Sequence, residues 1–370
     1  MIIRYLTQDD VREHDKITSQ AFSYSCEIGN PDSALPCEKV LGAFDDDNKT
    51  LFADFELTDR KCCYDGGILT CAAIGGVAAK PEHRGKGAVK ALFSHLFQKA
   101  EYDISILYPF SEEYYRKLGY ERVGRCLSAE IPFSELSDIK RNTDVTLYEG
   151  ENTDELLSVY NKCARNYNLC FVRDSAEAFS DKPYFSQKYT YIRKDGAFAT
   201  IEIDRGKSRV SVNEIYFDSR ESMLGILGFL RNFESNQKTI CFRKLPENTP
   251  ILKVIRELKN CDIKIHNIGS AAILNMEKVL KSHKYPVRDG GFTLRAGGDT
   301  FAVSVSGGAV EIKKDPSLTP DLITDPGTAS RIILCGIEGA EYDPNITVND
   351  PHSDFFEMFP PKVSFFTDCF

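Results

Sequence analysis

The stretch Val77-Ala78-Ala79-Lys80-Pro81-Glu82-His83-Arg84-Gly85-Lys86-Gly87-Ala88-Val89-Lys90 limits what this chain can fold into more than any other. An apolar run, Ile68–Ala79, ends in a turn with two glycines. It then passes into a segment whose Val89, Leu92, Phe93, Leu96 and Phe97 share one helical face. A strand-turn-helix of this kind aims backbone N–H groups, with the positive end of the helix dipole, at one point. Gly85 and Gly87 let the backbone approach an anion closely, and Arg84, Lys86 and Lys90 add positive charge. The ligand this favours is a diphosphate. The spacing fits neither G-x-x-x-x-G-K-[ST] nor G-x-G-x-x-G with a downstream ribose-binding acid.

Around the turn the pattern reads β-α-β-β-β-α-β-α-β. It comprises a strand within residues 1–8, a helix over 9–22, strands over 39–44 and 50–57, and the apolar run. A helix from Gly87, a strand over 104–108 and a helix over 111–118 closed by Gly119 follow. This predicts an α/β sheet with helices packed on it. Residues 126–280 alternate strands (189–193, 197–203, 210–216) with helices (154–168, 219–233, 250–258) and contain no glycine-rich strand-to-helix turn. From Lys281 onward strands dominate (292–296, 300–305, 310–313), with one helix over 321–334. The tail 354–370 holds six phenylalanines. Three packed domains are expected.

The turn resembles the cofactor motif of the GNAT superfamily of acetyltransferases, R/Q-x-x-G-x-G/A after a hydrophobic strand. Arg84-Gly85-Lys86-Gly87-Ala88 matches, and Val89 departs from the usual Gly or Ala. The resemblance implies acetyl-CoA as co-substrate. The amides of Val77 and Ala79 would meet the pantetheine arm, and those of Arg84, Gly85, Lys86, Gly87, Ala88 and Val89 the pyrophosphate. Pro109–Glu121 is similar to the F-Y-x-K-x-G-[FY] signature of the same enzymes, which puts Tyr115 in the place of the proton donor to the leaving thiolate. The plainer alternative is that Tyr114, Tyr115 and Tyr120 only pack. Ser111 is read as the cap of this helix, near the pantetheine.

Over its whole length the chain resembles the enhanced-intracellular-survival (Eis) group. That likeness implies a GNAT domain (1–125), a GNAT-like domain without the cofactor turn (126–280) and a sterol-carrier-protein-like domain (281–370). It rests on the motif-poor middle third, on Ala271–Leu280 leading into a strand-rich end, and on the terminal phenylalanine. It further implies that the carboxylate of Phe370 is the general base, that the substrate is an amine such as an aminoglycoside or polyamine, and that the assembly is a hexamer. Cys369 stands where some relatives have an acid. With no tryptophan, an aromatic substrate wall must be Phe or Tyr, with Phe22 and Tyr24 as candidates. A protein-lysine acetyltransferase, a non-catalytic acyl-CoA-responsive protein and a lipid carrier built on residues 281–370 are the alternatives.

A net charge of −9 argues against nucleic acid as the main partner and is compatible with a cationic substrate. The 12 cysteines show no C-x-x-C spacing and no nearby histidine pair, so free thiols rather than a zinc site or disulfides are expected. The opening residues lack the basic-then-apolar pattern of a signal peptide, and no apolar run is long enough to span a membrane. A cytoplasmic protein is expected, in which the Asn-x-Thr triplets at Asn48 and Asn345 are chance matches.

Overall fold

The computed structural model describes residues 1–22, 37–99, 101–175, 179, 188–287, 289–337 and 343–368. Its first elements are β1 (Ile2–Tyr5), α1 (Val11–Phe22), β2 (Val40–Phe44), β3 (Leu51–Tyr64), β4 (Gly67–Ala79), α2 (Ala88–Lys99), β5 (Ile104–Leu107), α3 (Glu112–Arg116) and β6 (Glu121–Arg122). Their order is the one read from the sequence. β3 runs well past the expected end at Leu57, because it pairs with β4 from Ala53↔Ala79 to Tyr64↔Gly67. Those cross-strand bonds outweigh the weak strand preference of Asp59-Arg60-Lys61. The hairpin turns at Asp65 and Gly66, both with positive φ (49° and 83°).

The two faces of this sheet carry different helices. α2 buries Leu92, Phe93 and Leu96 with Phe52 and Phe55, while α1 buries Val11 and Ile17 with Val40, Leu51 and Ala78. Alternation along β3 separates Leu51 from Phe52 in this way. Full burial of a side chain such as Leu92 or Phe93 is worth about 1.5–3 kcal/mol.

The middle of the chain supplies β7 (Arg125–Pro132), β8 (Thr146–Leu147), α4 (Thr153–Ala164), β9 (Tyr189–Arg193), β10 (Ala197–Asp204), β11 (Arg209–Phe217), α5 (Arg220–Leu230), β12 (Thr239–Pro246), β13 (Asp262–Asn267), β14 (Ser270–Ile273) and α6 (Met276–Ser282). Seven of these strands form a second sheet in the order β13-β7-β12-β11-β10-β9-β8. The eighth, β14, returns to the first sheet, which runs β1-β2-β3-β4-β5-β14-β6. The expected helix over 250–258 is instead a 3-10 helix over Pro250–Val254, with a second 3-10 turn over Leu258–Asn260. The first stops because Ile255 turns extended (ψ 134°) and is buried.

A third sheet, β17-β16-β15-β18-β19, is built from β15 (Gly290–Ala296), β16 (Asp299–Ser306), β17 (Ala309–Lys314), β18 (Leu322–Thr324) and β19 (Ile346–Val348), with α7 (Pro326–Cys335) and α8 (Phe355–Met358). The helix expected over 321–334 begins only at Pro326, which opens α7 behind an Asp325 cap accepting from the Thr328 N–H. The three residues before it pair with β15 as a strand, consistent with the bias of a pre-proline segment away from helix. Phe292, Phe355, Met358 and Phe359 fill the interior of this part. A hollow of about 390 Å³ on the sheet is bordered by Thr293, Ser304, Glu311, Lys313 and Asp321. Among the described residues every cysteine is a free thiol, and no helix is long and apolar enough to cross a membrane.

Candidate active site

The parting of β4 from β5 shapes the site. The two strands pair in parallel only from Cys71↔Ile104 to Ile74↔Leu107, yet β4 continues along β3 to Ala79. Gly76, at φ +59°, sits where the β3–β4 register shifts and turns β4 away. Lys80 donates its N–H to the Phe52 carbonyl at 2.9 Å. Alternation along the strand therefore points the N–H groups of Ala79 and Val77 to the other edge, which β5 has left. An edge of this kind can take an extended amide-bearing chain.

After Lys80 the chain makes a 3-10 turn over Pro81–His83 and enters α2 at Ala88. Gly85 and Gly87 have φ of +80° and +81°, and a methyl group placed on either would meet no atom within 4 Å. The turn is thus a cradle open on its glycine side, which fits a diphosphate. Not all six expected amides face it. Arg84 N–H donates to the Pro81 carbonyl (3.3 Å) and Lys86 N–H to that of His83 (3.4 Å). Those of Gly85, Gly87, Ala88 and Val89 meet no acceptor among the described residues. The Lys86 side chain folds back, with Nζ 3.0 Å from His83 Nδ1 and 4.8 Å from the centre of the Phe52 ring. Arg84 and Lys90 are exposed.

Tyr115 lies on α3, 3% exposed, with its ring against Phe93, Phe110, Tyr114 and Tyr120. Burial first, then the neighbouring Tyr114, pushes its hydroxyl far above the usual tyrosine range. Among the described residues the hydroxyl makes no hydrogen bond, and it is not sealed from solvent. A neutral donor with a free proton is the result. Ser111 caps α3, accepting from the Tyr114 N–H at 3.3 Å. Phe110 is 74% exposed and, with the half-exposed Tyr108 and Tyr114, gives an aromatic border. Phe22 is exposed at the end of α1. Tyr24 lies outside the described residues.

Three groups near the parting escaped the sequence reading. Asp54 and His14 form a buried pair, Oδ2 to Nδ1 at 2.9 Å, and burial pushes the Asp54 carboxyl up. Glu56, exposed between the buried Phe55 and Leu57 of β3, brings its carboxylate against Gly76 at the bulge. Acids alternating in a strand carry no sequence signal that separates them from a solvated edge.

The C-terminal segment also reaches this place. Ser364–Asp368 is buried, with Phe366 against Tyr108 and Phe171. A side chain at Gly269 would strike the Phe366 ring at 2.8 Å, and one at Gly124 would press on Ser364 at 3.1 Å. The Tyr108 hydroxyl donates to the Asp368 carbonyl at 2.6 Å, and Lys244 donates to the Tyr108 hydroxyl at 3.1 Å. Phe370 and Cys369 lie outside the described residues.

Residues 2–123 match the family described as the acetyltransferase (GNAT) domain, and the chain is an enzyme of that acyl-transferring class. No curated protein matches it in sequence. Many solved structures share its fold, and three that do so over 100% of the chain illustrate the likeness. One is a GCN5-related N-acetyltransferase from Anabaena variabilis (TM-score 0.86, 19% identity, all of that chain covered). Another is a conserved protein of unknown function from Enterococcus faecalis, a probable N-acyltransferase (0.83, 15%, 99% covered). The third is Eis1 from Mycobacterium abscessus (0.82, 16%, all covered).

Proposed function

We propose that the chain is an acetyl-CoA-dependent N-acetyltransferase of the Eis type, acting on primary amines of a cationic small molecule. The observation that carries the reading is a convergence at the end of β5. The open edge of β4 and the buried C-terminal segment both meet it, and the Tyr115 ring lies against Phe110, three residues past its end. Bound acetyl-CoA would supply the thioester. The N–H groups of Val77 and Ala79 would hold its arm, with Ser111 nearby, and those of Gly85, Gly87, Ala88 and Val89 its diphosphate. Glu56 offers a carboxylate to a substrate ammonium at the bulge.

In this scheme the Phe370 carboxylate removes the ammonium proton. The Val77 N–H polarises the carbonyl oxygen as the nitrogen attacks. Tyr115 protonates the departing sulfur and is restored by the second proton that the nitrogen sheds, so that a C–N bond replaces the C–S bond without an acyl-enzyme. Support for the base comes from the position of the tail, whose Asp368 carbonyl is held by the hydroxyl of Tyr108, the residue that follows β5. The division into domains 1–125, 126–280 and 281–370, the sterol-carrier-like character of the last, and hexamer formation rest on the Eis resemblance.

Steady-state CoA release across polyamines and aminoglycosides, for the full chain and one lacking Phe370, tests the proposal. The shortened chain must first be shown to fold and to bind acetyl-CoA. Turnover that collapses on removing Phe370 supports both enzyme and base. Equal turnover removes Phe370 from the mechanism, and no turnover with any amine overturns the substrate class.

A further inference from the structure

The second sheet repeats the geometry of the first without its turn. β11 and β12 pair in parallel only from Arg209↔Thr239 to Val212↔Phe242, after which β11 continues to Phe217 and β12 to Pro246. Where the first sheet passes through a glycine cradle into α2, the second passes through Asp218-Ser219 into α5. Ser219 caps that helix itself, accepting from the Ser222 N–H at 3.0 Å. A diphosphate has no place there.

The parting of β11 from β12 is instead met by the chain's own C-terminal segment. Beyond it on β11, Tyr216 lies 3.0 Å from the Thr367 hydroxyl through its own, and Glu214 accepts from that hydroxyl at 2.5 Å. Beyond it on β12, Lys244 reaches the Tyr108 hydroxyl that holds the Asp368 carbonyl. Arg173, 3% exposed, joins the two sides. It donates through both terminal nitrogens to Glu214 (3.1 and 2.5 Å) and through Nε to Asp368 Oδ1 (3.0 Å). The other Asp368 oxygen accepts from Tyr160 at 3.2 Å. Side chain and carbonyl of Asp368 are therefore both fixed, two positions before Phe370. A buried cation shared by two carboxylates is a costly arrangement for mere stability, since apolar residues of like volume serve as well.

We infer that the second sheet is the clamp of the C-terminal segment, with Arg173, Glu214, Thr367 and Asp368 as positioning residues that hold the Phe370 carboxylate at the acetyl-transfer site. The inference rests on the proposed role of Phe370 as base. Loss of the clamp lets that carboxylate wander, and a misplacement of about 1 Å can cost about 100-fold in rate.

The test is Asp368→Asn in the full chain, which keeps the shape of the side chain and removes its charge. With an alkylamine substrate at pH 7, kcat is expected to fall about 100-fold while KM for acetyl-CoA stays unchanged. The deficit should shrink as the pH rises toward the amine's own pKa of roughly 10, because less of the substrate then needs a base. A deficit of the same size at every pH, or none, overturns the clamp. Should Asp368→Asn fail to fold, Thr367→Val, which removes one hydroxyl, carries the same pH-dependent expectation at about tenfold. Removal of Phe370 serves as the control. If it changes nothing, the terminal base itself is wrong; if it abolishes turnover while Asp368→Asn does not, only the clamp is wrong.

Discussion

The Tyr108 hydroxyl donates to the Asp368 carbonyl at 2.6 Å, joining the residue that follows β5 to one 260 positions later. Tyr108→Phe removes this bond and the acceptor for Lys244 while leaving the ring against Phe366. A net loss of about 1 kcal/mol in tail anchorage corresponds to a fall of roughly fivefold in kcat. KM for acetyl-CoA should not move. Initial-rate kinetics over both substrates check this, and a changed acetyl-CoA KM with constant kcat would contradict it.

The cradle predicts a different split. Gly87→Ala places a methyl group in open space, so packing costs nothing, and the positive φ costs about 1–2 kcal/mol. The methyl then projects toward the space where a diphosphate would lie. KM for acetyl-CoA should rise about tenfold or more. A short acetyl thioester without a diphosphate, such as that of N-acetylcysteamine, should be used as well as before. Equal losses with both donors would mean that the turn does not hold a diphosphate.

The first sheet was legible because its signals are local: the turn at Arg84–Val89, the cap at Ser111 and the apolar face of α2 all lie within short windows. β14 was not, since Ser270–Ile273 becomes a strand only by pairing with β5 and β6, far away in sequence. The same limit hid the tail. The six phenylalanines of 354–370 mark the tail as apolar, but Arg173, Glu214 and Tyr108 give no sign in the sequence of what they hold. Helix 321–334 was misread at its start because Leu322-Ile323-Thr324 carries apolar spacing that suits either state, and only Pro326 marks the boundary.

Tyr115→Phe should lower kcat about 100-fold if its hydroxyl protonates the thiolate. Stability should stay within about 0.5 kcal/mol, since that hydroxyl has no partner to lose among the described residues. Burial, and then Tyr114, holds its pKa far above 10, so the donor stays protonated throughout the usual assay range. A fall in wild-type rate between pH 8 and 10 that survives in Tyr115→Phe would therefore have another origin. The paired comparison of kcat against pH and of thermal melting checks both expectations. Unchanged kcat in the variant would leave Tyr115 as a packing residue.

The hairpin tip bears on stability rather than catalysis. Asp65, between β3 and β4, accepts from Lys362 Nζ at 2.8 Å, lies 2.9 Å from His283 Nδ1 and takes the Lys284 N–H at 3.0 Å. Burial opposes its ionisation, but His283 and Lys362 outweigh burial and hold the carboxyl well below the usual range. A carboxyl depressed in the folded state stabilises above its unfolded pKa of about 3.9, and that contribution fades as the pH falls further. Asp65→Asn also strips the half-buried Lys362 ammonium, whose pKa burial already lowers, of its counter-ion. The expected cost at pH 7 is about 3 kcal/mol. Urea unfolding at pH 7, 5 and 3 should show the gap between wild type and variant narrowing only at the lowest pH. A gap that persists undiminished at pH 3 would show that the carboxylate charge is not what ties the hairpin to the C-terminal part.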